Sequence, residues 1–395
     1  MTTHLGLENG PIYLDYNATT PVDPAVVEAM LPYLALHFGN PSSAHAYGHT
    51  AREAVDMARS QVARLLGSAA DEITFTGGGS ESDNLAIRGV ALARKEQGNH
   101  IITQVTEHPA VLNTCRALER LHGFRVTYLP VDAYGRVNPA DVEAAIDGST
   151  VLITIMHANN ETGTLQPLQE IATISHSHGV LMHTDAAQSV GKISTNVNEL
   201  GVDLLTIAGH KLYAPKGVGA LYIRHGLQLE PLIYGGGQES GRRAGTENVA
   251  YMVALGTACA LAQEQLASNQ ARLRKMRDQL QHHLEQDLPG SIHLNGHAIE
   301  RLPNTLNVSV EGIIGEDVLA ATPEIASSTG SACHEGSTDP SPVLMAMGQS
   351  RARALGALRL TLGRWSTEDE VEHVARLLLR SIDSLTKEHS CHDHQ

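Results

Sequence analysis

The sequence of 395 residues contains few cysteines, a minority of basic residues and no long apolar run. Its four cysteines are widely separated and form no CxxC pair, which argues against a disulfide framework or a zinc site and fits a reducing cytoplasm. Lys and Arg number 28 against 43 Asp and Glu, giving a formal net charge of −15. Nucleic acid and anionic membranes are therefore not expected as main partners.

Targeting and membrane signals are also missing from the sequence. The start, MTTHLGLENG, has neither a basic region nor an apolar core, so no signal peptide is predicted. The longest apolar candidate, VAYMVALGTACALA, is shorter than the roughly 20 residues that a membrane helix needs. The 42% of hydrophobic residues is typical of a globular chain with one large domain or two ordinary ones.

Short β-type runs alternate with helical segments between about residues 70 and 225, which predicts a mostly parallel sheet with helices on both faces. The predicted strands are 73–75, 100–105, 125–131, 151–156, 180–184, 203–208 and 219–224. An amphipathic helix is expected at 46–67, and a long helix at 249–285 should connect this unit to a smaller C-terminal α+β unit. In such sheets functional residues collect where strands end.

Three stretches place polar groups after predicted strands. TFTGGGSESDN (74–84) combines glycines with a helix start, which suits a phosphate, although a plain glycine turn with Ser80 as N-cap is equally open. Asp185 ends the strand before AAQSVGK, and a capping or turn role is the alternative. Lys211, in TIAGHKLYAPKG, follows a strand where a solvated surface lysine is the ordinary outcome.

Together these groups match the needs of pyridoxal 5'-phosphate (PLP). A lysine amine forms a Schiff base with it, a carboxylate holds the proton on the pyridine ring, and a helix N-terminus holds the phosphate. A buried lysine also tends to lose its proton and becomes a better nucleophile.

Several longer motifs resemble those of the cysteine desulfurases of the NifS and IscS type, which are PLP-dependent enzymes with the class-V aminotransferase fold. The similar segments run from PIYLDYNATTPVDP (11–24) to RLTLGRWSTEDEV (359–371) and include GGGSESDN, TEHPAV, MHANNETG, DAAQSVGK, GHKLYAPKG, RAGTEN and SSTGSACHEGS. The resemblance implies an α/β fold with a seven-stranded, mostly parallel sheet and a smaller α+β domain. It places the PLP-binding domain at 16–262 and the small domain at 1–15 and 263–395.

The resemblance also implies a role for individual residues. Lys211 would bind the cofactor covalently, Asp185 its pyridine nitrogen and Gln188 its ring hydroxyl, while His108 would stack on the ring and move protons. Phosphate contacts would come from Gly79, Ser80, His210 and, in a homodimer with shared sites, Thr246 of the neighbouring subunit. The carboxylate of L-cysteine would bind Asn160 and Arg359, with a surface ion pair as the alternative for Arg359 and Arg364 as a rival.

Cys333 lies in SSTGSACHEGSTDPSP, a run of small residues that offers little apolar packing. The resemblance places the sulfur-accepting nucleophile here, on a loop of the small domain, from which a partner protein would receive the sulfur. Cys115 and Cys259 fall in predicted helices, and Cys391 lies in the polar C-terminal segment.

Two departures from relatives stand out. Ala208 replaces a frequent serine, which would remove one phosphate contact worth about 1 kcal/mol. His334 and Glu335 follow the cysteine instead of small polar residues and would have opposite effects on the pKa of its thiol.

Other functions remain open at this point. A PLP-dependent lyase acting on selenocysteine or another C–S bond fits the same fold. A non-catalytic sulfur-carrier scaffold or a nucleotide-binding protein would leave Lys211 and Cys333 without a role.

Overall fold

The computed structural model describes residues 4–330 and 339–392, with the backbone alone for 388–392. Its strands are β1 (Ile12–Tyr13), β2 (Ile73–Thr76), β3 (His100–Gln104), β4 (Arg125–Leu129), β5 (Thr150–Thr154), β6 (Leu181–Asp185), β7 (Leu204–Ala208), β8 (Gly219–Ile223), β9 (Ile292–Leu294), β10 (Thr305–Val310), β11 (Ile325–Ala326) and β12 (Ala357–Thr361). Its α-helices are α1 (Pro24–Met30), α2 (Pro32–Ala35), α3 (Ala46–Leu66), α4 (Gly79–Ala93), α5 (Pro109–His122), α6 (Pro139–Ala145), α7 (Leu168–Ser177), α8 (Val197–Leu200), α9 (Val249–Asp287), α10 (Gly315–Ala320), α11 (Pro342–Ala346), α12 (Arg351–Leu355) and α13 (Glu368–His392). Within these ranges, no helix combines the length and the apolarity that crossing a membrane requires.

Strands β2 to β8 form a single sheet in the order β2-β8-β7-β6-β5-β3-β4. Strand β8 is antiparallel to both of its neighbours, and the remaining neighbouring pairs are parallel. The prediction of a mostly parallel seven-stranded sheet is confirmed, and each of its strands overlaps one predicted run.

Helices cover both faces of this sheet because successive side chains along a strand point to opposite sides. Ile102 and Leu205 belong to an apolar cluster with α3, α6, α7 and α9. Their neighbours Ile101 and Leu204 belong to a second cluster with α4 and α5. Both layers are buried, so the strands read as nearly continuous apolar runs in the sequence.

Helix α3 confirms the predicted amphipathic helix, since residues spaced three or four apart along it are all buried: Ala51, Val55, Ala58, Val62 and Leu65. It ends at Gly67, whose φ of 67° is in the left-handed region that glycine tolerates best. The neighbouring α9 packs against it at Gly256, where a Cβ atom would lie 2.6 Å from the Cα of Ala58. A larger residue at this position would force the two helices apart.

Helix α9 is the predicted connection between the two parts of the chain. Its first half, as far as Ala262, packs in the large-sheet core, and its second half, from Leu273, packs in a separate apolar cluster. That cluster also contains α13, Leu14 and the antiparallel sheet β12-β10-β9. The smaller α+β unit is therefore confirmed. The division into 16–262 and 1–15 with 263–395 stays a prediction, supported by these separate clusters.

Candidate active site

Most of the predicted site residues lie at or just after the carboxyl ends of β2, β3, β5, β6 and β7. Four of these strands are mutually parallel. Strand β2 runs in the same direction, because it is antiparallel to β8, which is antiparallel to β7. All five strands therefore deliver their following loops to one edge of the sheet, which is where parallel α/β folds bind ligands.

Lys211 is partly buried in the 3-10 turn that follows β7. Its Nζ donates hydrogen bonds to the backbone carbonyls of Asn17 and Ala18, the second at 2.7 Å. Burial lowers the pKa of Lys211 to about 8; the positive charge of Arg359 adds to this shift, and Asp15 and Asp185 oppose it. About a tenth of the amine is therefore uncharged at pH 7, and the uncharged form is the nucleophile.

Asp185 ends β6 and is buried, with 7% of its surface exposed. Its Oδ1 accepts a hydrogen bond from the backbone N–H of Ala187 at 2.9 Å. Burial raises the pKa of Asp185, whereas the Ala187 hydrogen bond, His108 and Lys211 lower it. A carboxylate in this setting is well suited to pair with a buried cation.

Gln188 follows Asp185 by three residues, and its amide has a fixed orientation. Its Nε2 donates to the carbonyl of Asn17 at 2.9 Å, and its Oε1 accepts from Lys192 Nζ at 2.9 Å. Burial, with the charges of Lys211 and Arg359, lowers the pKa of Lys192 to about 7. The motif DAAQSVGK thus contributes a second lysine to the site, which sequence reasoning missed.

His108 is the N-cap of α5, and its Nδ1 accepts from the N–H of Ala110 at 3.1 Å. The other ring edge remains available, and His108 is exposed. Partial desolvation lowers the pKa of His108; Asp185 opposes this shift and Lys211 reinforces it. The nearest ligand atoms of His108, Asp185 and Asp83 lie within 4.8 Å of one another.

The predicted phosphate cradle is the N-terminus of α4, which begins at Gly79 and has no side-chain cap. A Cβ on Gly79 would lie 3.1 Å from the Cβ of Ala208, so the cradle is narrow on that side. Ser80 is exposed at the first turn, and its capping alternative is wrong because the N-cap is Gly78. Uncapped N–H groups at a helix start are suited to a phosphate.

His210 and Thr246 are the remaining residues predicted to contact phosphate, with Thr246 expected to reach the phosphate of the neighbouring subunit. His210 precedes Lys211, and burial with the nearby lysines lowers its pKa to about 4, so the ring is neutral at pH 7. Thr246 is exposed in the loop between β8 and α9.

Arg359 lies on β12 and contacts Asn160, which lies in the loop after β5. Its Nη1 donates to the carbonyl of Asn160 at 3.2 Å, and its Nη2 pairs with Asp15 at 2.8 Å. Arg359 is only 6% exposed, so the surface alternative is wrong, and its buried Nε has no hydrogen-bond acceptor. An unused donor on a buried guanidinium is consistent with a carboxylate ligand.

Arg364, the rival candidate for binding the substrate carboxylate, forms no hydrogen bond or ion pair with Asn160 or Asp15 in the described part of the chain and has other partners. Its Nη1 pairs with Asp23, and its guanidinium lies over the ring of Tyr213, 4.3 Å from the ring centroid. These contacts give Arg364 a structural role between the N-terminal segment and the end of β12.

Asn17 connects the parts of the site and was not singled out from the sequence. Besides the carbonyl contact with Lys211, its Oδ1 accepts from Lys192 at 3.2 Å and its Nδ2 donates to Thr305 at 2.9 Å. The signal was present, because Asn17 lies within PIYLDYNATTPVDP, but nothing in that stretch shows which distant strands it contacts.

The class-V aminotransferase family matches residues 12–374. Cysteine desulfurase IscS of Dictyoglomus turgidum is 47% identical over 376 residues, covering 95% of both chains. Cysteine desulfurase IscS of Methanosarcina thermophila is 47% identical over 384 residues, covering 97% of this chain and 94% of the relative.

The chain belongs to the class-V aminotransferase family, among the cysteine desulfurases of the IscS type.

Solved structures agree with this assignment. A NifS-like protein superposes with a TM-score of 0.87 at 37% identity, covering 95% of this chain and 99% of its own. A structure described as SspA in complex with cysteine gives a TM-score of 0.80 at 41% identity, covering 90% and 100%. As a cysteine desulfurase, the chain is an enzyme, and enzymes of this family depend in general on PLP.

Proposed function

We propose that this enzyme takes the sulfur atom from L-cysteine, leaves L-alanine, and retains the sulfur as a persulfide on Cys333. The proposal rests on the position of Lys211 and Asp185 at the ends of two adjacent strands, beside the uncapped N-terminus of α4. Lys211 has a lowered pKa there, and Asp185 is buried. In the net reaction the thiol of Cys333 gains one sulfur atom, and the carbon that carried it gains hydrogen.

The chain's own groups fit PLP. Lys211 would hold it covalently, Asp185 would pair with its ring nitrogen, Gln188 Nε2 would reach its hydroxyl, and His108 would cover the ring. The phosphate would be bound by Gly79, Ser80, His210 and the partner's Thr246. When bound, the cofactor supplies an electron sink for the Cα of the amino acid. The Nζ of Lys211 is then the base that takes the Cα proton.

Three features of the site support these assignments. The cradle at Gly79 is narrow and has no side-chain cap. The Oε1 of Gln188 is held by Lys192, and its Nε2 gives one N–H to the carbonyl of Asn17, which leaves the second N–H for the cofactor. The carbonyls of Asn17 and Ala18 already accept from Lys211, so they can hold the amine whenever it is not attached to the cofactor.

Cofactor capture by the apoenzyme should depend on pH through Lys211. A lysine is nucleophilic only without its proton, and lowering the pKa from 10.5 to about 8 raises the neutral fraction at pH 7 by roughly 300-fold. We expect the rate of covalent PLP attachment to rise with pH and to level off above about 8. Stopped-flow absorbance across pH 6 to pH 10 measures this; a midpoint near that of free lysine would contradict the pKa shift.

Asn160 and Arg359 are proposed to bind the substrate carboxylate. Arg359→Lys keeps the charge but removes the planar fork, so the KM for L-cysteine should rise at least about 10-fold, equivalent to about 1.4 kcal/mol. The value of kcat should change less, because this contact is the same before and during the reaction.

Arg353→Lys is the matched control, since Arg353 is a partly buried arginine that binds the carbonyl of Leu294 instead. An unchanged KM with a reduced kcat in Arg359→Lys would show that Arg359 does not bind the substrate carboxylate.

Cys333 lies outside the described residues, so its role rests on the sequence and on family membership. We further propose a homodimer, a sulfur-accepting protein as partner and a cytoplasmic location. The free, buried thiols of Cys115 and Cys259 are compatible with a reducing compartment.

The decisive assay supplies L-cysteine and a dithiol to the purified enzyme loaded with PLP. Alanine and released sulfide in equal amounts, with a persulfide on Cys333 before the dithiol is added, are the expected products. Formation of pyruvate and ammonia instead would identify a lyase and contradict the proposal.

A further inference from the structure

Three buried carboxyl groups influence one another at the predicted PLP site: Asp83 on α4, Glu107 after β3, and Asp185 at the end of β6. They are 1%, 4% and 7% exposed, respectively. The nearest oxygens of Asp83 and Asp185 lie within 4.8 Å of each other. Ionisation of both Asp83 and Asp185 is disfavoured, because each carboxylate would lose its hydration and repel the other.

Asp83 has no cationic partner that would stabilise a negative charge. Its Oδ1 is buried and receives no hydrogen bond, and the closest basic atom is His183 Nε2 at 3.8 Å. His183 is itself uncharged, because burial lowers its pKa to about 3, and its ring nitrogens contact the hydroxyls of Thr154 and Thr206. An anion at Asp83 would therefore be a buried charge with no cation beside it, stabilised only by the hydrogen bond with Thr206.

Asp185 has the opposite surroundings. It accepts the N–H of Ala187, and the groups with positive or partly positive charge that face it are His108 and Lys211. Asp83 faces Asp185 and Glu107, which raise its pKa further after burial, opposed by a hydrogen bond with Thr206. When two carboxyl groups share a site, such differences decide which one keeps the proton.

Glu107 is not the ionised member of this group of carboxyl groups. Its Oε1 accepts the N–H of Met156 at 2.7 Å, its Oε2 is buried without a partner, and burial raises its pKa to about 8. Glu107 is therefore also mainly protonated at pH 7, which leaves Asp185 as the anion of the group.

We infer that Asp83 is a positioning residue that stays a neutral acid and donates its proton toward Asp185, directly or through one water molecule. This donation holds Asp185 as the ionised carboxylate that the pyridine nitrogen requires. The inference rests on the proposed PLP site and adds Asp83 to it.

Two variants separate the neutral-donor role from a charge or packing role. Asp83→Asn has nearly the same shape, no charge, and N–H groups that can still donate to Asp185. Asp83→Leu has a similar size and no charge, but it cannot donate. The readout is the pH midpoint at which the visible absorption of the PLP-loaded enzyme changes.

We expect Asp83→Asn to keep the wild-type midpoint and Asp83→Leu to raise it by about one pH unit. Without the donor, Asp185 would be more basic and would hold the proton that it shares with the pyridine nitrogen more strongly. The ring would then be less electron-withdrawing, and the nitrogen that links Lys211 to PLP would lose its proton at a higher pH. An equal shift in both variants would show that Asp83 acts as an anion. No shift in either would limit Asp83 to packing, and each of these results overturns the inference.

Infrared difference spectroscopy provides a test that does not depend on the leucine variant folding. Asp83→Asn should remove one carbonyl band of a protonated carboxylic acid from the wild-type spectrum, while Glu107→Gln identifies the band of Glu107. If Asp83→Asn instead removes a carboxylate band, the inference is wrong. Failure of wild-type enzyme to bind PLP at all would contradict the proposed function separately.

Discussion

Replacing Lys211 by alanine is expected to abolish covalent attachment of PLP and to lower kcat/KM for L-cysteine at least about 1,000-fold. That loss corresponds to about 4 kcal/mol of transition-state stabilisation. The reason is that the Nζ of Lys211 has two tasks in the proposed site, holding the cofactor and moving the Cα proton. Borohydride reduction followed by peptide mass spectrometry locates the adduct, and an alanine assay measures the rate.

Two lysines serve as controls for this experiment. Lys216 is exposed in the following turn, so Lys216→Ala should retain both the adduct and the activity. Lys192 is the more demanding comparison, because its Nζ also has a lowered pKa and lies within hydrogen-bond distance of Gln188. A reduced adduct found on Lys192 in the wild-type enzyme would overturn the assignment of Lys211.

Replacing Cys333 by serine is expected to prevent persulfide formation and to reduce alanine production at least about 100-fold, while the PLP absorption spectrum is retained. A hydroxyl does not ionise near neutral pH as a thiol does, and the thiolate is the nucleophile. Mass spectrometry of alkylated peptides after one turnover with L-cysteine measures the persulfide, and absorbance confirms that the cofactor is bound.

The other cysteines make this prediction specific. Cys115 and Cys259 are buried in helices, and burial raises the pKa of Cys115 to about 12, so neither thiol forms a thiolate readily. Cys391→Ser is the suitable control and should behave like the wild-type enzyme. Continued alanine production by Cys333→Ser at the wild-type rate would show that another group accepts the sulfur.

Local patterns in the sequence were sufficient to predict the strands of the sheet and the site residues at the strand ends. Each strand is an apolar run bounded by turn residues, and Asp185 and Lys211 directly follow two of them. Because parallel strands end at the same edge of a sheet, both residues are expected at that edge, and the structure places β6 and β7 side by side.

The contacts between distant segments were not predictable in this way. Asn17 touches Lys211 and Thr305, and Asp15 pairs with Arg359, across separations of 194, 288 and 344 residues. Periodicity describes which face of an element is buried, but it does not specify which remote element covers that face.

What the sequence by itself determined is thus the set of strands, the reactive residues at their ends, and membership of the family. What only the tertiary structure decided is the electrostatic state of those residues. The lowered pKa of Lys211 and the paired burial of Asp83 with Asp185 arise from desolvation and from charges on separate elements. These effects depend on distance and solvent exclusion, which exist only after the chain has folded.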